Sequence, residues 1–287
     1  CQKAVSAVRN QDFNETELIL VNDGSSEDPP KEIVQLVQSG RGRRVDHSSN
    51  RGLAAARNSA IEVARGEYFS FCDDDDVWPR DFAKRLISGI ENAPEEVAIV
   101  LNFPKNREKR ISKFFIGYPT IREVIREGIT PPVGSQLYRT ELLKEIGGYN
   151  PSVRSGVDHD LWISLLEINP RVAAVFGPPV KVGRSEGANR MTTNEQKRRE
   201  GIREALGIWR PLLEATMGPR FYQYFVSSYQ QYLDRKFFMQ SLLTRDWSEA
   251  ALRLARRPTL CFWILELIIR KLLRIPRTNL FPKYRLS

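Results

Sequence analysis

The feature that most constrains this chain is the alternation of short apolar runs with helical patterns over its first hundred residues. Leu18 to Val21 reads as a buried strand, Pro29 to Gln38 as a helix capped by Asp28, and Arg44 to His47 as a short strand. Leu53 to Ala64 follows as an Ala-rich helix, Tyr68 to Cys72 as a strand, a helix opening at Pro79, and Val97 to Leu101 as a further strand. Strand and helix alternating at this spacing build parallel crossover units, so the pattern predicts an α/β fold with a doubly wound, mainly parallel sheet. Ligands of such sheets gather at the C-terminal ends of the strands. Two acidic turns, Asn22-Asp23-Gly24-Ser25 and Asp73 to Asp76, directly follow predicted strands and are expected on the same edge of one sheet.

Near residue 195 the alternation stops, which divides the chain into 1–195 and a helical, basic 196–287. Phe221, Tyr224, Phe225, Tyr229 and Tyr232 recur at near-helical spacing, the pattern of a helix packed on a core. The formal net charge of +9 sits in this second part. Residues 196–287 hold 18 Lys/Arg against 7 Asp/Glu, and residues 1–195 hold 26 against 28. A near-neutral first part carries no continuous phosphate-binding face, so nucleic acid is not an expected partner. Cys1, Cys72 and Cys261 are odd in number and far apart, which offers neither a disulfide framework nor a zinc site and fits a reducing compartment. The start, without Met or a signal-peptide pattern, reads as that of a fragment.

From Arg253 onward the chain combines nine Lys/Arg and one acidic residue with the apolar run Leu260 to Ile269. That run is about half the roughly 20 residues a membrane span needs, and Glu266 interrupts it. Glu266, Arg270 and Arg274 share one helical face, with Trp263 among the apolar residues elsewhere. Two readings follow: an interfacial helix on an anionic membrane surface, or a helix packed on the rest of the protein. The first places the chain in the cytoplasm, peripheral at the inner face of the membrane.

Four successive aspartates repel one another unless a cation or a hydrogen-bond network neutralises them. Oxygen ligands with few His or Cys neighbours select a hard divalent ion, Mn²⁺ or Mg²⁺; the alternative is a solvated acidic turn before the helix at Pro79. His47 and His159 lack partners at ligand spacing.

With its surroundings, the acidic segment resembles the inverting family 2 glycosyltransferases of the GT-A fold. ELILVNDGSS resembles the strand that ends in the family's first acidic turn, and NRGLAAARNSAIEVARGEYFSFCDDDDVWP its central blocks. GSQLYRTELLKEIGGYNPSV resembles the acceptor-side segment, and VDHDLW the block that supplies the catalytic base. The resemblance implies metal-dependent transfer of a sugar from a nucleotide-diphosphate donor to a hydroxyl of a glycan or lipid-linked acceptor. It implies Asp75 as direct metal ligand, Asp73 as a contact to ribose or to the metal through water, and Asp74 and Asp76 as neighbours that tune the site. Asp23 would accept a hydrogen bond from the nucleobase, Arg57 and Asn58 would brace the acidic loops or approach the diphosphate, and Asp158 would be the catalytic base. Val157 stands where the family usually has Glu, and Glu186 where a metal-binding His often stands. The resemblance also implies an apolar strand ahead of residue 1, so a central strand is expected to be missing. A sugar-phosphate nucleotidyltransferase would carry a Gly-rich phosphate loop after the first strand, where this chain has Asn-Asp-Gly-Ser-Ser. A catalytically silent membrane-surface or scaffold protein on the same fold is the non-enzyme reading.

Overall fold

A computed structural model describes residues 2–26, 29, 31–108, 116–121, 123–124, 132–183, 194–261 and 263–264. The chain forms two compact units, one of residues 1–124 and 129–190, the other of residues 125–128 and 191–287. Asp28, Glu186 and residues 265–287, all invoked above, lie outside the described residues.

In the first unit, helix α1 (Gln2–Arg9) precedes strand β1 (Leu18–Asp23), which pairs in parallel with β2 (Gly42–His47) through helix α2 (Lys31–Gln38). The register runs from Leu18 opposite Gly42 to Asp23 opposite His47, so both strands end together. A second sheet has the order β3-β5-β4-β6, from β3 (Tyr68–Phe69), β5 (Gln136–Arg139), β4 (Val97–Phe103) and β6 (Arg171–Phe176). Its long β4–β6 pairing is parallel, and the shorter β3–β5 and β4–β5 pairings are antiparallel. The fold is α/β, as expected, but the two acidic turns belong to different sheets. What joins them is helix α3 (Leu53–Val63), whose approach is gripped by Asp23 and whose second turn carries Arg57.

Helix α4 (Phe82–Glu91) begins three residues after Pro79. It buries Phe82, Leu86 and Ile90, one per helical turn, against Val97, Val100, Leu137 and Val180. Each such side chain removed from water contributes about 1.5–3 kcal/mol. Strand β3 is shorter than Tyr68 to Cys72, because past Phe69 the chain is tied by a side chain instead of a ladder: Ser70 Oγ donates to the Gln136 carbonyl at 2.6 Å. Helices α5 (Thr140–Glu145) and α6 (Val157–Glu167) complete the frame of the site.

The second unit is helical in its described residues: α7 (Glu195–Met217), α8 (Pro219–Leu243) and α9 (Trp247–Arg256). Phe221, Phe225 and Tyr229 of α8 are buried, the packing role that their spacing predicts. Glu195 accepts from Arg199 and Arg253, and Asp234 from Arg199, an ion-pair network that ties the start of α7 to α8 and α9. Trp263 packs on the cluster of Phe238, Ala250 and Leu260, with the Arg235 guanidinium 5.6 Å over its ring. The Trp263 ring is thus partly buried within the helical unit. No helix of the described residues is long and apolar enough to cross a membrane.

Candidate active site

Arg57 is the hinge of the site. Its side chain is 6% exposed, yet it bridges two carboxylates from distant parts of the chain, Asp73 Oδ1 through Nη2 at 3.0 Å and Asp158 Oδ1 through Nη1 at 2.5 Å. Two aromatic faces hold the guanidinium in that fork, Tyr149 with its centroid 5.0 Å away and Phe71 at 5.4 Å. Burial alone would lower the Arg57 pKa, but its surroundings, with Asp158 and Asp73 among the favourable charges, raise it above its ordinary value. The two carboxylates are more open, with side chains 44% and 41% exposed, so ligands can reach both. Asp158 lies in the first turn of α6, where the positive end of the helix dipole favours a carboxylate. Val157 beside it is buried, a position that suits an apolar side chain better than the Glu of the resemblance.

Asn58 faces elsewhere. Its amide nitrogen donates to the Tyr149 carbonyl at 2.8 Å, and its oxygen accepts from the Tyr149 N–H at 2.7 Å. Both polar atoms of Asn58 thus clamp the backbone of the residue whose ring supports Arg57. The turn before Tyr149 allows this only because Gly148 has φ +71 and no Cβ; an added Cβ would lie 2.4 Å from Asn58 Oδ1. Adjacent residues on α3 therefore fix the two halves of one tyrosine, Arg57 against its ring and Asn58 along its backbone. Burial raises the pKa of the Tyr149 hydroxyl above the usual tyrosine range, so it stays protonated.

The four aspartates do not form one cage. The Asp76 N–H donates to the Asp73 carbonyl at 3.0 Å and closes a turn with Asp74 and Asp75 at its tip. Asp73 is held by Arg57, whereas Asp76 is 3% exposed and accepts from the Gly183 N–H at 3.1 Å. Burial first, then the charges of Asp73 and Asp75, push the Asp76 carboxyl up to about 6. Val77 and Lys181 exchange backbone hydrogen bonds at 3.0 Å, which lays residues 181–183 across the turn. Only glycine fits at 183, because a Cβ there would stand 2.0 Å from the Asp75 carbonyl oxygen. Among the described residues no group of three His, Cys, Asp or Glu converges as a ready metal cage. Asp73 and Asp75 offer only oxygen donors, the chemistry that suits a hard divalent ion completed by water. Burial and the neighbouring aspartates push the Cys72 thiol up to about 12, which removes it as a nucleophile.

At the end of β1, Asp23 Oδ1 accepts from His47 Nδ1 at 2.7 Å and from the Arg51 N–H at 2.8 Å, and Oδ2 accepts from the Gly52 N–H at 2.8 Å. Burial works to raise the Asp23 pKa, but the bonds from Arg51, His47 and Gly52 outweigh it and hold the carboxyl below its usual value. His47 Nε2 in turn meets Ser59 Oγ of α3 at 2.9 Å. Sequence reasoning passed over His47 because it was weighed only as a metal ligand. Its signal was available, since Asp23 and His47 each end a strand of a parallel pair. Tyr149 and Phe71 carried no comparable signal. A cleft of about 540 Å³ borders the acidic turn through Val77 and Trp78 and is lined by Lys3, Ser6, Asn10 and Arg80.

The structure thus defines an α/β protein that gathers separate carboxylates around α3, and comparison with known proteins gives it a family. Residues 2–147 match glycosyl transferase family 2, and the chain belongs to that family. EpsH of Bacillus subtilis (strain 168), a protein named as a glycosyltransferase, is 34% identical over 97 residues, 34% of this chain and 27% of EpsH. Chondroitin synthase of Pasteurella multocida (strain Pm70) is 25% identical over 170 residues, 58% of this chain and 17% of that protein. The chain therefore matches less than a third of the length of either relative. Among solved structures, the mannosyltransferase PcManGT from Pyrobaculum calidifontis, in complex with GDP-Man and Mn²⁺, has a TM-score of 0.56 at 15% identity, covering 96% of this chain and 84% of the other. S. aureus TarS 1-349 in complex with UDP has a TM-score of 0.50 at 19% identity, covering 71% and 61%. At these identities the likeness establishes the fold, which is of the GT-A type.

Proposed function

We propose that the chain is the transferase part of a metal-dependent, inverting glycosyltransferase that moves a sugar from a nucleotide-diphosphate donor to a hydroxyl of a glycan or lipid-linked acceptor. The observation that carries this reading is the Arg57 bridge, which brings a donor-side carboxylate, Asp73, within one guanidinium of an acceptor-side carboxylate, Asp158. Direct displacement needs these two functions close together but chemically separate. The acceptor oxygen forms its bond to the anomeric carbon while the bond to the diphosphate breaks, and the electron pair leaves with the diphosphate. Asp158 takes the hydroxyl proton, and attack from the face opposite the departing diphosphate inverts the configuration. Asp75, with help from Asp73, would hold Mn²⁺ or Mg²⁺, which when bound neutralises charge growing on the departing diphosphate. Asp23 contacts the nucleobase, Arg57 keeps Asp73 and Asp158 apart at fixed distance, and Asn58 acts through the Tyr149 turn. Neighbours solved with UDP and with GDP-Man and Mn²⁺ support a nucleotide donor and a divalent ion, and the relative named chondroitin synthase supports a glycan product.

Asp75→Ala should abolish the Mn²⁺ dependence of nucleotide-diphosphate binding in titration calorimetry. Binding of nucleotide and Mn²⁺ unchanged from wild type would reject Asp75 as ligand.

In this reading residues 1–195 perform the transfer and 196–287 attach the enzyme to the inner face of the membrane, within reach of a lipid-linked acceptor. Residues 265–287 carry six Lys/Arg and one acidic residue, and each basic group near an anionic surface contributes about 1 kcal/mol. Because α9 and Trp263 pack within the helical unit, the informative truncation ends at Ile264 rather than before Arg253. Co-sedimentation with anionic vesicles should be strong for the full chain, weaken with salt and disappear in the truncated one. Equal binding by both would show that the basic segment is not the attachment.

A further inference from the structure

We propose that His47, backed by Ser59, is a specificity-determining residue of the donor site, one that leaves Asp23 a single acceptor position and so selects uridine or thymidine diphosphates over guanosine diphosphate. The inference rests on the proposed function and on the assignment of Asp23 to the nucleobase. An ionised carboxylate only accepts hydrogen bonds, so His47 Nδ1 must carry the proton in the 2.7 Å contact with Asp23. Nε2 lies 2.9 Å from the Ser59 hydroxyl, which can accept from it or donate to it, so Ser59 holds the ring in place whichever way that bond runs. The step that matters, donation from His47 Nδ1–H to Asp23, is the same in either case. The contact is also sheltered, since the His47 side chain is 4% exposed and the Asp23 side chain 18%.

A carboxylate offers about four lone-pair positions. Oδ1 of Asp23 receives two donors, His47 Nδ1–H and the Arg51 N–H, and is saturated; Oδ2 receives one, the Gly52 N–H. One position, on Oδ2, is left for a ligand. Uracil and thymine present a single N–H between two carbonyls, which one acceptor satisfies. Guanine presents two adjacent N–H donors, and its usual carboxylate partner needs both oxygens. With Oδ1 held by His47, one guanine donor would be left without a partner in a sheltered site, a loss that lowers affinity by about tenfold or more. The register that ends β1 and β2 together is what sets this up, because it places Asp23 and His47 opposite each other.

The test is titration of the full chain with UDP and with GDP in the presence of Mn²⁺, for wild type, His47→Ala, His47→Asn and Ser59→Ala, with thermal melts to confirm folding. Wild type should bind UDP at least about tenfold more tightly than GDP. His47→Ala should lose most of that ratio, because Oδ1 is released and Asp23 is free to turn. His47→Asn, whose amide N–H can stand in for Nδ1–H, should keep most of it, and Ser59→Ala should fall between. A residue with a purely structural role would lower the melting temperature and leave the ratio unchanged, which would overturn the proposal. So would equal or tighter binding of GDP by wild type, with the transferase reading intact. Binding of neither nucleotide by a folded wild type would overturn both.

Discussion

Arg57→Ala should lower the melting temperature of the first unit by roughly 5–10 °C and remove turnover. Removing one member of a buried ion pair costs about 3–5 kcal/mol when all partners are buried. Here the guanidinium is buried but Asp73 and Asp158 are each more than one third exposed, so water screens part of the loss and about 2–3 kcal/mol is the appropriate scale. For a unit of this size each kcal/mol shifts the midpoint by about 2–4 °C. The effect on turnover has a different origin. Without the fork, two carboxylates repel each other across the site, and the Phe71 and Tyr149 rings lose the plane that rests on them. Arg57→Lys separates charge from geometry, because an ammonium keeps the charge but cannot reach two carboxylates in a planar fork. Lysine should recover part of the stability and little of the activity. A melting temperature and a turnover number equal to wild type in Arg57→Lys would show that the bridge does not organise the site.

Much of the site's neighbourhood was legible in the sequence, because the apolar runs Leu18 to Val21 and Tyr68 to Cys72 each lead into carboxylates, although β3 itself ends at Phe69. The helix that carries Arg57 was equally plain from its alanines. The joining of these parts was not. Arg57 and Asp158 are 101 residues apart, and nothing in either segment encodes their meeting; it follows from the docking of α6 and the Tyr149 turn on α3. The sheet was expected as one layer but occurs as two, since β1 pairs only with β2 among the described residues. Periodicity reports which face of a strand is buried, not which strand lies beside it. The four aspartates illustrate the same limit. Their mutual repulsion was readable and the resemblance implied that Arg57 braces the acidic loops, but the division was not: Arg57 supports Asp73, while the Gly183 N–H, more than a hundred residues away, supports Asp76. Helical spacing likewise could not show that Trp263 packs in part against Phe238, Ala250 and Leu260.

The central claim is that Asp158 takes the acceptor proton during direct displacement, and Asp158→Asn tests it with the least disturbance of structure. The amide oxygen of Asn can still accept from Arg57, so the fork and the donor side should persist, while the proton acceptor is gone. General-base contributions are about 10²–10⁴-fold, and an interaction needed only in the transition state lowers kcat rather than donor affinity. The decisive measurement is kcat for sugar transfer beside the Kd of the nucleotide-diphosphate donor, in wild type and Asp158→Asn, with the anomeric configuration of the wild-type product read by NMR. The account predicts at least about a hundredfold lower kcat, a Kd within about threefold of wild type, and inverted product. Undiminished kcat in the Asn variant, or a product of retained configuration, would contradict it.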